Sequence, residues 1–123
     1  MNASDVERIV TAEIDGFVYE VPAPGTTVGV PWSEEKVRSY LLKLRAALVK
    51  PYQHRFVLRD TAAQTRAVSP TFTEYWVIAE TEYYVEFFDP SSNEFGLASR
   101  APKGGVHDTI GVRGDLVGVF CAM

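Results

Sequence analysis

Residues Thr71 to Ala98 read TFTEYWVIAETEYYVEFFDPSSNEFGLA and hold more than half of the aromatic side chains of the chain. Runs of aromatic and β-branched residues at 72–79 and 83–88 predict two strands. The segment 89–93, DPSSN, has the composition of a turn, because proline presets one backbone angle and Asp, Ser and Asn bond the nearby backbone. The stretch therefore predicts a three-stranded antiparallel meander that returns along 95–98.

This stretch is also acidic, because no Lys or Arg lies between Arg66 and Arg100. Side chains alternate along a strand, so a glutamate at position 86 is framed by two aromatic rings on one face. An exposed face of this kind suits protein binding, since tyrosine and tryptophan are enriched at binding hot spots. A buried carboxylate would instead need a partner or lose its charge. The candidate binding residues are Trp76, Glu82, Tyr84, Glu86 and Phe88.

The bulk properties describe a small globular protein. Its 123 residues are 46% hydrophobic, which predicts a single domain over 1–123 with a core that needs no disulfide or metal. The net charge of −4 argues against nucleic-acid binding. The lone Cys121 and the lack of a signal-like N-terminus or an apolar stretch of membrane-spanning length predict a cytoplasmic protein without a membrane segment.

The N-terminal region has two competing interpretations. Asp15-Gly16 is a favoured two-residue hairpin turn, and the apolar residues around it pair on one face, which predicts a hairpin over 9–22. The alternative is a helix over 4–14, because Ser4-Asp5-Val6-Glu7 matches a capping box and apolar residues follow at helical spacing. The hairpin is the favoured prediction. A loop is predicted at 22–27, which is rich in Pro, Gly and Thr.

A helix is predicted over about 34–49. Ser33 is a good N-cap, and two glutamates follow it in the positively polarised first turn. Pro51 is expected to stop the helix. An apolar stripe runs along one face, formed by Val37, Tyr40, Leu41, Leu44 and Leu48.

The remaining strands are predicted from alternation and turns. His54 to Arg59 alternates as a half-buried strand does, and Arg113-Gly114-Asp115 reads as the turn of a last hairpin with strands at 109–112 and 116–121. The predicted fold is α+β. It has an antiparallel, meander-rich, curved sheet of about six or seven strands, with one main helix packed on one face.

Three groups of residues have types that can carry chemistry. Cys121, His107 and Asp108 are the residue types of a nucleophilic triad, but His107 and Asp108 are adjacent and their side chains diverge. His54 and His107 lack metal-ligand spacing. The loop 102–105, PKGG, lacks the spacing of a phosphate-binding loop and reads as a connection. The sequence therefore predicts no catalytic residue, no metal site and no cofactor, and favours a protein that is not an enzyme.

Two functions remain after this reasoning. The first is a non-enzymatic interaction or regulatory module that binds another protein, or a second copy of itself, through the acidic and aromatic sheet face. The second is a small-molecule cup between sheet and helix, with Glu86 as its polar anchor and an unknown reaction if it is an enzyme. A pocket that contains Glu86 or His54 would favour the second function.

Overall fold

The computed structural model describes residues 1–19, 31–103 and 105–123. Within these ranges the chain is an α+β protein with four helices and one five-stranded sheet. The helices are α1 (Ala3–Asp15), α2 (Glu34–Ala47), α3 (Ala62–Thr65) and α4 (Leu116–Cys121). The strands are β1 (Leu48–Val57), β2 (Phe72–Glu80), β3 (Tyr84–Asp89), β4 (Glu94–Ser99) and β5 (His107–Gly114).

The sheet closes on itself. Each strand from β1 to β4 pairs antiparallel with the strand that follows it. β5 then pairs in parallel with β1 through Phe56↔His107 and Val57↔Asp108. The predicted meander over β2, β3 and β4 is confirmed, as is the curvature, which here reaches closure into a barrel. The predicted strand number of six or seven is too high, because two segments predicted as strands are helical.

The predicted N-terminal hairpin is wrong, and the alternative helix is present as α1. Val6, Val10 and Ile14 recur every four residues and are all buried along one face of α1. Its capping box is formed by Asn2 and Asp5, two residues earlier than the predicted box of Ser4 to Glu7. The Asn2 N–H donates to the Asp5 carboxylate at 2.8 Å, and the Asp5 N–H donates to the side-chain oxygen of Asn2 at 3.0 Å. Gly16 ends the helix by donating its N–H to the Ala12 carbonyl oxygen at 2.9 Å. The predicted loop over 22–27 lies outside the described residues.

The predicted C-terminal hairpin is also wrong, because its second strand is α4. Asp115 caps this helix by accepting the N–H of Gly118 at 3.1 Å. Gly114 has a φ of 154°, a conformation that favours glycine, so the chain turns sharply from β5 into α4. The buried side chains of α4 follow helical spacing and are Leu116, Val117, Val119 and Phe120.

The main predicted helix is confirmed as α2, although other helices accompany it. The Ser33 side chain accepts the N–H of Lys36 at 3.1 Å, as a helix N-cap does. The helix ends at Ala47, and β1 begins at the next residue. Pro51 therefore does not stop the helix but lies buried within β1.

The two faces of the sheet belong to two separate apolar clusters. The outer cluster joins the sheet to α1, α2 and α4, and it includes Trp76, Phe88 and Leu97 from the strands. The inner cluster fills the barrel and contains Phe56, Tyr75, Val77, Val85, Phe87 and Ala98.

One end of the barrel is closed by Arg113. Its guanidinium donates to Asp89 and to the Tyr75 hydroxyl, both at 3.0 Å, and lies 3.4 Å from Asp60. The same group lies 5.3 Å from the centre of the Phe87 ring. Because the Arg113 guanidinium is already bonded to these partners, this end of the barrel is closed. The polar side chains at the opposite end form the more open site.

Candidate functional site

Two histidines lie at the open end of the barrel, which we call the histidine mouth. His54 points inward from β1, and His107 points inward from the start of β5. The parallel pairing of these strands brings the two rings to a centroid distance of 4.3 Å, with 31° between their planes. The closure of the sheet therefore builds a site from two positions that are far apart in sequence.

The bonds of the two rings define where their protons lie. Nε2 of His54 is 2.7 Å from the carbonyl oxygen of Gly105, and since a carbonyl only accepts, this nitrogen carries a proton and donates. The backbone N–H of Ala101 donates to Nδ1 of His107 at 2.9 Å. A neutral His107 must therefore carry its proton on Nε2.

His107 is the least satisfied polar group of the mouth. Its side chain is 5% exposed, and its Nε2 has no hydrogen-bond partner among the residues that the structure describes. Burial, followed by the nearby His54 and Arg100, lowers the pKa of His107 to about 4, so its ring is neutral at pH 7. Among the described residues, the mouth thus contains a buried N–H donor without an acceptor, which is an uncommon arrangement in folded proteins.

A second group of polar side chains forms the rim. The Tyr52 hydroxyl donates to Glu80, and burial, followed by this hydrogen bond, raises the pKa of Tyr52 to about 12. Arg100 donates to the Thr81 carbonyl oxygen at 2.8 Å and lies 3.6 Å from Glu80. The rim is therefore held in place by bonds within the protein and leaves part of the Arg100 guanidinium open to solvent.

The mouth contains a cavity of about 420 Å³. Its lining combines the rim with an apolar wall of Ala101 and Pro102 and the exposed Lys103. The formal charges of Arg100, Lys103 and Glu80 sum to one excess positive charge. A concave site with convergent polar groups and shifted pKa values has the usual properties of a ligand site.

The five candidate binding residues from the sequence do not form one exposed face. Trp76, Glu86 and Phe88 are buried between the sheet and the helices, at 9%, 0% and 1% exposure. Tyr84 is half-buried against the same outer cluster, and Glu82 is exposed on the turn between β2 and β3. The structure therefore places four of the five beneath or beside the helices and one at the surface.

Glu86 is an unusual core residue. Neither of its carboxyl oxygens has a hydrogen-bond partner in the described part of the chain. Burial, reinforced by the charge of Asp115, raises its pKa well above 4.5. Burial raises the pKa of the Cys121 thiol, and a charge on Glu86 would raise it further. Glu86 is thus a core carboxyl group whose charged form is disfavoured, and it lies away from the mouth.

The fold does not assemble the other residue groups that could carry chemistry. Cys121 packs in the outer cluster whereas His107 lies inside the barrel, so the suspected triad is not assembled. Within residues 1–19, 31–103 and 105–123, no three His, Cys, Asp or Glu side chains are placed to hold a metal ion. Sequence reasoning did consider His54, His107 and the 102–105 loop, but separately, and it missed Tyr52 and Arg100. The missing signal was the pairing of β1 with β5.

No protein-family model, curated protein or solved structure matches the chain. None of the helices in the described ranges has the length and apolar character needed to cross a membrane.

Proposed function

We propose that this protein is a binding domain, without catalysis, that holds a small polar molecule in the histidine mouth. The observation that carries the proposal is the buried Nε2–H of His107, which lacks an acceptor among the described residues and belongs to a ring that lines a cavity of about 420 Å³. Nε2 itself lies beneath the surface of the cavity, so the side chains of the mouth must shift before a ligand oxygen can accept this proton and remove the penalty of an unsatisfied buried donor. Binding without chemistry is preferred because Glu80 and Tyr52 bond each other and Arg100 contacts Glu80, so the titratable groups of the rim are already paired.

A second proposal keeps the protein-interaction hypothesis but restricts the binding surface to one exposed turn. Glu82 and Tyr83 form an exposed turn next to the mouth, and Tyr83 is 69% exposed. The backbone N–H of Arg100 donates to the Tyr83 carbonyl oxygen at 2.8 Å, which ties this turn to the rim. An exposed tyrosine beside a carboxylate suits a protein partner or a second copy of this chain. A cytoplasmic location belongs to both proposals.

Native mass spectrometry of the purified protein, beside its denatured mass, tests both proposals. We expect extra mass that is lost on denaturation, and we expect His107→Phe to abolish it because phenylalanine keeps a ring but has no N–H. Lys50→Met, which changes an exposed lysine of β1, is the control and should keep the extra mass. A dimer that dissociates in Glu82→Lys supports the second proposal. A bare monomer in every variant contradicts both a tightly held ligand and stable self-association.

A further inference from the structure

We propose that the ligand of the histidine mouth is a small carboxylate, bound as a monoanion against His107, Arg100 and Lys103. The inference rests on the proposed function and adds the chemical class of the ligand. It is carried by three features of the mouth, which are the fixed tautomer of His107, the charge of the rim and the apolar wall.

The fixed tautomer requires a ligand atom that accepts a hydrogen bond. The N–H of Ala101 occupies Nδ1 of His107 at 2.9 Å, so Nε2 can only donate while the ring is neutral. The partner of Nε2 must then be an acceptor such as a carboxylate or carbonyl oxygen. A ligand that offers only N–H or ammonium groups would leave His107 unsatisfied.

The charge of the rim favours an anion of one charge. Arg100 and Lys103 are two cations, and Glu80 is the one carboxylate among the described residues that line this cavity. A monoanion brings the formal charge of these groups to zero. A dianion such as phosphate would leave an excess negative charge beside Glu80, and like charges in close contact are unfavourable.

Arg100 and Lys103 both line the cavity that such a ligand would occupy. Arg100 directs one nitrogen to the Thr81 carbonyl oxygen and another towards Glu80, and its side chain remains 40% exposed. A guanidinium has five N–H donors, so these two contacts leave others free for a carboxylate. Lys103 is exposed on the loop that borders the cavity.

The remaining wall is apolar enough to contact the body of the ligand. Ala101, Pro102 and the ring of Tyr52 line the cavity together with the charged groups. A carboxylate with a short aliphatic or aromatic group would place its oxygens at His107 and its carbon atoms on this wall. Such a division between an apolar body and a few fixed polar contacts is typical of small-molecule sites.

Isothermal titration calorimetry with matched probes tests the class of ligand. The probes are butyrate and benzoate, their neutral amides butyramide and benzamide, and inorganic phosphate. We expect each carboxylate to bind at least about tenfold more tightly than its amide, which is the factor that 1.4 kcal/mol represents. Lys103→Met should weaken carboxylate binding about two- to fivefold, the range expected for an exposed ion pair, and should leave the amides unchanged. Lys50→Met should leave both unchanged.

The outcomes separate the ligand class from the proposed function. If amides bind as tightly as carboxylates and His107→Phe abolishes both, the mouth is a ligand site but the carboxylate class is wrong. If phosphate binds more tightly than either carboxylate, the monoanion argument is overturned. If no probe binds to the unaltered protein, the carboxylate class is overturned, and the proposed function fails with it only if native mass spectrometry also shows no bound ligand. If Lys103→Met and His107→Phe both fold, as judged by circular dichroism, and neither changes the affinity, the binding site lies elsewhere and the inference is overturned.

Discussion

Replacing Gly96 with alanine is expected to lower the free energy of unfolding by about 3 kcal/mol, at the upper end of the cost of overpacking a core. Gly96 of β4 is paired with Phe87 of β3, and the Phe87 ring lies across the glycine. A Cβ at position 96 would lie 2.7 to 2.8 Å from Cε2 and Cε1 of that ring, well inside van der Waals contact. The barrel interior has no room for an added methyl group at this point.

The Phe87 ring cannot easily move away from such a methyl group. It stacks on Tyr75 at 4.5 Å with 5° between the planes, and it contacts Phe56 at 4.9 Å. Arg113 lies 5.3 Å from the ring centre and is itself bonded to two aspartates. Displacing Phe87 would therefore disturb both the inner cluster and the closed end of the barrel.

Urea denaturation of Gly96→Ala and of two control variants measures this effect. Gly16→Ala changes a glycine that ends α1 with a right-handed helical backbone, and we expect a change below about 1 kcal/mol. Phe87→Leu shortens the ring that causes the overlap, so the double variant should lose less than the sum of the single losses. A Gly96→Ala protein as stable as the Gly16→Ala protein would contradict the described packing of the barrel.

Replacing Glu86 with leucine is expected to raise the free energy of unfolding at pH 8 by about 1–3 kcal/mol, the usual cost of a buried polar group without a hydrogen bond. Glu86 is fully buried, and both of its oxygens lack partners in the described ranges. In the folded state the acid must stay protonated or bear an unsolvated charge. Leucine has neither penalty and suits the apolar outer cluster around it.

The pH dependence of stability isolates the ionisation of Glu86. Its folded pKa is raised above the ordinary value of 4.5, because burial and then Asp115 oppose the charged form. The folded state therefore binds more protons than the unfolded state above pH 4.5, and stability falls as the pH rises from 4.5 through the folded pKa. In Glu86→Gln this fall should disappear, although the amide remains unsatisfied.

Stability curves from pH 4 to pH 9 for the unaltered protein and the two variants test this account. His107 contributes in the opposite direction, because its folded pKa of about 4 lies below the ordinary value of 6.5 and stability should rise with pH between these values. His107 contributes equally to the unaltered protein and to Glu86→Gln, so the difference between their curves reports on Glu86. Parallel curves for these two proteins over the whole range above pH 4.5 would show that Glu86 has a partner or an ordinary pKa.

The elements with strong local signals could be predicted from the sequence. The helix α2 follows a clear N-cap at Ser33, and the meander of β2, β3 and β4 follows from β-type runs joined by the turn at 89–93. Both depend on contacts between residues that are close in sequence. Such local patterns are the most reliable part of sequence interpretation.

The segments with two valid local patterns were misassigned. Asp15-Gly16 suits a hairpin turn, yet Gly16 equally suits the end of a helix, and burial of Val6, Val10 and Ile14 decides for the helix. The apolar run at 116–121 is short enough to be a strand or a helix, and the cap at Asp115 decides for α4. In both cases packing against the outer cluster outweighs the local turn signal.

The histidine mouth could not be predicted because it depends on a non-local pairing. His54 and His107 become neighbours only when β5 pairs with β1, and the spacing of these residues in the sequence does not predict a closed sheet. The acidic and aromatic stretch over 71–98 has an unusual composition, but most of its rings pack in the inner and outer apolar clusters. The composition of this stretch therefore reflects packing at most of its aromatic positions, while Glu82 and Tyr83 remain exposed.

Long-range ¹H–¹⁵N NMR of the histidine side chains, recorded through a pH titration, tests the central claim most directly. The arrangement of Ala101 and the burial of His107 predict a neutral ring with its proton on Nε2, which remains neutral until about pH 4. Addition of benzoate should then shift the Nε2 signal of His107 more than any other imidazole signal. A His107 that titrates near pH 6.5, or that carries its proton on Nδ1, would contradict the proposed donor and with it the ligand site.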